Sequence, residues 1–150
     1  MYAFKITTFV QMNSNTKPND ILTLTPLILE VFRNERPSIT HLAGAGSNRR
    51  YYLLECNGKK AVGTCGDDFR ENKAFVDLCN HFSGQLDFIP EILAVDSDYR
   101  GYIQTFAGHK SLFEVAESCR NSNHYTTEIV SLLEKAMRQL ADIQERWQES

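Results

Sequence analysis

The chain has 150 residues, of which 42% are hydrophobic and 23% are charged, and its formal net charge is -3. This composition excludes intrinsic disorder, collagen and coiled-coil arrays, and the length suits one domain. The 16 basic residues do not outnumber the 19 acidic ones, so we expect no nucleic-acid partner. No apolar run reaches the length of about 18 residues that a membrane span needs, so we expect no membrane partner.

The four cysteines form no CxxC pair and no Cys/His knuckle. That spacing favours buried thiols in a reducing cytoplasm over a disulfide framework or a zinc site. The acidic residues Asp67, Asp68 and Glu71 are better explained as charges at a helix start than as metal ligands. We therefore expect no metal ligand in this chain.

The first 24 residues are predicted to be a leader or linker, either flexible or added as a strand to a sheet edge. They lack the apolar core and cleavage site of a signal peptide, and residues 13–20 are polar and rich in turn formers. Thr25 and Pro26 then supply an N-cap and a proline at the first helical position. This predicts a short helix over about 26–34.

The middle of the chain predicts a three-stranded antiparallel meander over 38–65. Its first turn is rich in glycine (residues 43–48), and its second turn contains Asn57 and Gly58, the strongest hairpin signal in the chain. A helix should follow from Asp67 or Asp68 to about Phe82, and two more strands over 91–96 and 102–106. A short helix capped by Ser111 is predicted over 111–117, and a long helix is predicted over 126–148.

The predicted fold class is therefore α+β, with a five-stranded antiparallel sheet, one packed helix, a connector and a long C-terminal amphipathic helix. The apolar stripe of that last helix needs a cover, either this domain or the same helix of a second copy. We expect a homodimer through residues 126–148.

The glycine turn is the most informative segment. A dinucleotide fingerprint needs a third glycine and a helix directly after it, but Arg49 and a strand follow here, and no P-loop is present. What remains is a glycine-rich hairpin, which is either an ordinary turn or a loop that folds over a nucleotide. Because Arg49 and Arg50 alternate across the strand, at most one of them can face such a nucleotide, and we expect the other to be solvated.

Glu71 is the second informative residue. Its spacing places it on the apolar face of the predicted helix, next to Phe75 and Leu78. A buried carboxylate needs a partner, which Lys59 or Lys60 could supply. The alternative is an acidic residue that complements the helix dipole.

With these elements in this order, the chain resembles the N-terminal lobe of the protein-kinase-like fold. The segments LAGAGSNRRYYLLE, FIPEILAVD and GYIQTFAGHKSLFEV resemble the bacterial aminoglycoside phosphotransferase family, nearest its sugar and amino-sugar kinases. The resemblance covers residues 38–148 and is most specific over 43–51. It implies a lobe over 25–106, followed over 107–150 by a connector and the first helices of a truncated second lobe.

The resemblance also implies a nucleotide site. Its members here are the phosphate loop, a lysine, the helix carboxylate and a connector (residues 105–107) whose backbone binds the adenine edge: Gly44, Gly46, Ser47, Asn48, Lys60, Glu71, Thr105, Phe106 and Ala107. Kinase-like folds keep the lysine inside the third strand, where this chain has none. Either Lys60 reaches in from the strand's start, or the triphosphate is held without it.

No histidine opens an HxD motif, so we expect no catalytic residue in this chain and no transfer activity from it alone. The resemblance implies that the full-length enzyme uses ATP and Mg²⁺ and binds its small-molecule acceptor through the missing lobe. The function expected is thus the nucleotide-binding lobe of an ATP-dependent kinase of a sugar, amino sugar or aminoglycoside. The alternative is a non-catalytic binding or interaction domain that reuses the lobe.

Overall fold

A computed structural model describes residues 17–42, 48–108, 111–122 and 126–148. These residues form an α+β fold with a five-stranded antiparallel sheet, which confirms that part of the predicted fold class. In chain order the elements are α1 (Pro18–Val31), β1 (Ser38–Leu42), β2 (Arg50–Cys56), β3 (Lys59–Cys65), α2 (Phe69–Phe82), β4 (Ile92–Val95), β5 (Gly101–Thr105), α3 (Leu112–Ser122) and α4 (Thr127–Gln148).

The strand order in the sheet is β1-β2-β3-β5-β4, so the chain leaves the sheet after β3 to form α2 and then returns at the far edge. The β2–β3 hairpin turns at Asn57 and Gly58, whose φ values of 50° and 78° are both positive, as its two-residue loop requires. Counting outward from this turn pairs Cys56 with Lys59 and Arg50 with Cys65. The hairpin signal therefore sets the register of the two central strands.

Helix α1 begins at Pro18, so the prediction of a helix start near residue 26, preceded by linker, was wrong for residues 18–24. Pro18 takes an early position where its missing N–H costs nothing. Pro26 lies inside the helix instead of at its start. The reason is tertiary, because Ile21 and Leu24 on the first two turns are buried in the sheet's core.

The structure packs a helix on each face of the sheet rather than one helix in total. Helix α1 covers the first face, where β3 and β5 present glycines that allow close approach: a Cβ on Gly63 would lie 3.1 Å from Leu24, and one on Gly101 would lie 2.7 Å from Thr23. Helix α2 covers the second face, since the ring of Phe75 stacks on Tyr102 at 5.5 Å. Successive strand residues alternate between these faces.

Helix α2 starts as predicted. The side chain of Asp68 accepts hydrogen bonds from the backbone N–H groups of Arg70 and Glu71 at 2.9 and 3.2 Å, which identifies it as the N-cap. The helix ends at Phe82, just before Gly84, whose φ is 74°. Its buried face comprises Asn72, Val76, Cys79 and Phe82.

The chain divides into two compact units, Met1–Ala107 and Gly108–Ser150. In the second unit, α3 packs against α4. Helix α3 begins with the predicted cap, because Ser111 Oγ accepts from the N–H of Glu114 at 3.1 Å, and it extends to Ser122, beyond the predicted end at 117. None of the helices in the described ranges combines the length and apolarity needed to cross a membrane.

Candidate functional site

An open cleft of about 740 Å³ lies where β2 and α2 begin. Its volume is in the range usual for small-molecule sites. Four cationic and two acidic side chains contribute to its wall, which consists of Lys17, Asn48, Arg49, Arg50, Asp67, Asp68, Phe69 and Arg70. The wall residues therefore carry more positive than negative charge, although Arg49 and Arg50 are each paired with a carboxylate that is not part of the wall.

The predicted carboxylate, Glu71, is paired with Arg49, which lines this cleft, so the prediction of a lysine partner was wrong. Arg49 Nη2 lies 3.1 Å from Glu71 Oε1 and also donates to the backbone carbonyl of Glu71 at 3.0 Å. The guanidinium lies 5.2 Å from the centre of the Phe75 ring. The side chain of Glu71 is 49% exposed, against 12% for Arg49, so the arginine rather than the carboxylate is the buried member.

The two lysines that we expected near Glu71 lie elsewhere. Lys59 Nζ donates to the carbonyl of Val31 at 2.6 Å, at the end of α1. Lys60 Nζ lies 3.7 Å from Glu55 and 5.7 Å from the centre of the Phe106 ring. Lys60 is therefore at the connector end of β3, whereas Arg49 and Glu71 are beside its other end.

The register shows how far apart these two ends are. Ala61, next to Lys60, pairs with Thr105 at the end of β5, and Cys65 pairs with Gly101 at its start. The two pairs are separated by four residues, or roughly 13 Å along the strands. The described candidate residues therefore form two groups. Asn48 lines the cleft and Glu71 is paired with its neighbour Arg49, whereas Lys60, Thr105 and Ala107 lie at the connector.

At the start of the connector, the backbone N–H of Thr105 is already used in a hydrogen bond within the protein. The N–H of Thr105 donates to the carbonyl of Glu91 at 3.0 Å, and Thr105 Oγ1 accepts from the N–H of Glu91 at 3.1 Å. A ligand at the connector would have to use the backbone beyond Thr105, at Phe106 and Ala107. Three other predicted site residues, Gly44, Gly46 and Ser47, lie outside the described residues.

Arg50 points to the opposite face of the sheet and is not solvated. Its Nε and Nη2 donate to the two carboxylate oxygens of Asp20 at 2.6 and 2.8 Å, and Nη2 lies 3.2 Å from Asp67. Tyr52 also donates to Asp20, at 2.6 Å. We did not predict this network, although the alternation of Arg49 and Arg50 did place them on different faces.

The network shifts the pKa of each member. Burial alone would raise the pKa of Asp20, but the hydrogen bonds from Arg50 and Tyr52 outweigh it and hold the pKa below its ordinary value. The hydrogen bond to Asp20 raises the pKa of Arg50. Burial, with the hydrogen bond to Asp20, raises the pKa of Tyr52. At neutral pH Asp20 is therefore ionised, Arg50 is protonated and Tyr52 is neutral.

Two buried cysteines, Cys65 and Cys79, are poorly suited to act as nucleophiles. Burial raises the pKa of Cys65 to about 12 and that of Cys79 to about 11. Both therefore remain neutral thiols at neutral pH. Within the described ranges, no three His, Cys, Asp or Glu side chains come close enough together to hold a metal ion.

Comparison with known proteins finds no family model, no curated protein and no solved structure that matches the chain.

Proposed function

We propose that this chain is the nucleotide-binding lobe of an ATP-dependent small-molecule phosphotransferase, of the bacterial sugar, amino-sugar or aminoglycoside kinase type, and acts in the cytoplasm. The observation that carries the proposal is the sheet order β1-β2-β3-β5-β4 with α2 inserted after β3. That arrangement supports a kinase-like lobe, in which a helix carboxylate meets a cation beside a glycine-rich turn. Here Glu71 and Arg49 form that pair.

The position of the glycine turn supports a phosphate site at the cleft. The turn joins two neighbouring antiparallel strands, with Leu42 opposite Tyr51. Asn48, its last residue, lines the cleft. Glycines let backbone N–H groups approach phosphate oxygens closely, and the surrounding cations favour a triphosphate with its Mg²⁺.

The connector supplies the other end of the proposed nucleotide site. A base bound by the backbone of Phe106 and Ala107 would lie next to Lys60. The roughly 13 Å along β5 from there to the cleft end suits an extended nucleoside triphosphate. In this arrangement Lys60 serves the base or ribose, and the phosphates lie at the glycine turn. The acceptor and the catalytic groups belong to a second lobe.

The test is a titration of the 150-residue chain with ATP and Mg²⁺. We expect the wild type to bind ATP and Gly46→Asp to lose binding, because a carboxylate in the turn would repel the phosphates. The matched control is Asn80→Asp, which adds the same charge at an exposed position near the end of α2; it should bind as the wild type does. Equal binding by all three chains would remove the phosphate-loop assignment, and no binding by the wild type would favour the non-catalytic alternative.

We also propose a homodimer formed through residues 126–148. Leu133, Met137, Leu140 and Trp147 are all more than 40% exposed on α4. Their spacing of four, three and seven residues follows a heptad seam, the pattern by which helices pair. A second copy of the same helix would cover this stripe with a matching one.

Light scattering tests the dimer. We expect the wild type to show twice the 17.2 kDa mass of one chain at micromolar concentration. Met137→Glu should shift the mass to one chain, because the substitution buries a charge in the seam. Ser131→Glu adds the same charge at an exposed position off the seam and should leave the dimer intact. A single-chain mass for the wild type would count against the interface.

A further inference from the structure

We propose that Arg49, held by Glu71, is the side chain of this lobe that binds the nucleotide's phosphates, in place of a lysine on β3. The inference rests on the proposed nucleotide function and names the residue that recognises the phosphate groups. The cleft end of β3 carries no charged side chain. On the face that α2 covers, the cleft end of β3 presents Thr64, which is fully buried and uncharged.

The neighbouring strand supplies the missing charge. Tyr51 pairs with Thr64 across the β2–β3 ladder. Arg49 precedes Tyr51 by two residues, so its side chain lies on the same face as those of Tyr51 and Thr64. It is also the first residue after the glycine turn, and it lines the cleft. No residue of β3 lines the cleft, so a phosphate bound there would meet Arg49 rather than a side chain of β3.

The contacts of Arg49 fix its guanidinium in advance of a ligand. Arg49 Nη2 forms an ion pair with the Glu71 carboxylate and donates a hydrogen bond to the Glu71 backbone carbonyl, and the guanidinium lies over the Phe75 ring. A guanidinium has five N–H donors in a planar fork, so it can hold a carboxylate and a phosphate oxygen at the same time. An ammonium, as a point charge, has no such fork.

The other cations of the cleft differ from Arg49 in their position or in the groups that they contact. Arg50 is bound by Asp20 and Asp67 on the far side of the sheet. Lys17 precedes α1, and Arg70 lies over the neighbouring Phe69 ring. Arg49 differs from these cations in that it connects the start of β2 to α2 through Glu71.

The experiment is isothermal titration of the full 150-residue chain, in Mg²⁺, with ATP, ADP and adenosine. Arg49→Gln should weaken the binding of ATP and ADP by about tenfold to a hundredfold, the loss expected for charge-assisted hydrogen bonds. Adenosine has no phosphate, so its affinity should not change. The matched control is Arg36→Gln, an exposed arginine of the same unit, which should change none of the three affinities.

The outcomes separate this inference from the proposed function. If the wild type binds ATP and Arg49→Gln binds it equally well, Arg49 does not hold the phosphates, although the nucleotide site stands. Equal loss of ATP and adenosine binding also overturns the inference, since it shows a damaged fold. A wild type that binds neither ATP nor ADP overturns both proposals. If circular dichroism shows Arg49→Gln to be unfolded, Arg49→Lys replaces it and should still weaken ATP more than adenosine.

Discussion

Replacing Asp20 with alanine is expected to lower the free energy of unfolding by about 3–5 kcal/mol, the usual cost of breaking a buried ion pair. Asp20 is only 4% exposed. Its carboxylate accepts hydrogen bonds from Arg50 and Tyr52 and so ties the first turn of α1 to β2. Alanine would leave the buried phenol of Tyr52 without this acceptor and would leave Asp67 as the remaining carboxylate partner of Arg50. Urea denaturation measures the loss.

Two further variants show whether the effect comes from the pair. Asp77→Ala removes a carboxylate from an exposed pair with Lys73 on α2 and should cost less than about 1 kcal/mol. Arg50→Ala should cost as much as Asp20→Ala, and the double variant should cost clearly less than the two losses added together, because both remove the same interaction. If Asp20→Ala lowers the unfolding free energy no more than Asp77→Ala does, the network of Asp20, Arg50 and Tyr52 does not stabilise the fold.

The same carboxylate gives the wild type a defined response to acid. The pKa of Asp20 is lower in the folded chain than its ordinary value, because the hydrogen bonds from Arg50 and Tyr52 outweigh burial. Its contribution to stability is therefore complete above about pH 4. The contribution is lost as the pH falls through the lower folded pKa. Asp20→Ala should lack this part of the acid response.

The accuracy of the sequence prediction depended on how local each signal was. The β2–β3 hairpin and the start of α2 were confirmed because Asn57, Gly58 and Asp68 act on their own neighbours. The start of α1 was missed because its signal is distant. In the sequence, Asp20 lies among polar residues typical of a linker. Its partner, Arg50, is thirty residues away in the chain, so the local sequence does not indicate the contact.

The partner of Glu71 was missed for a different reason. Spacing along the helix indicated that the carboxylate needs a cation, but the choice among the cations depends on strand register. Counting out from the hairpin turn pairs Arg50 with Cys65, close to the start of α2, and leaves Lys60 near the opposite end of the strand. The information was present in the hairpin signal. Proximity in sequence suggested the lysines, whereas register selects Arg49.

A second large effect is expected at Asn72, which follows Glu71 and is fully buried. Its Nδ2 donates to the carbonyls of Gly66 and Tyr99 at 3.1 and 2.7 Å, so it joins α2 to the end of β3 and to the β4–β5 turn. Asn72→Asp keeps the shape but places a carboxylate oxygen against two carbonyl oxygens. We expect a loss of about 3–5 kcal/mol of unfolding free energy at neutral pH, measured by urea denaturation.

The pH dependence of that loss identifies its cause. Burial and the two carbonyls disfavour the charged form, so the introduced carboxyl should have a raised pKa in the folded chain. The loss relative to the wild type should therefore be largest at neutral pH and shrink as the pH falls towards about 4, where the protonated group can donate to one carbonyl. Asn80→Asp makes the same change at an exposed position of the same helix and should cost less than about 1 kcal/mol, with little pH dependence. If the two variants behave alike, Asn72 does not position the helix that presents Glu71 to Arg49.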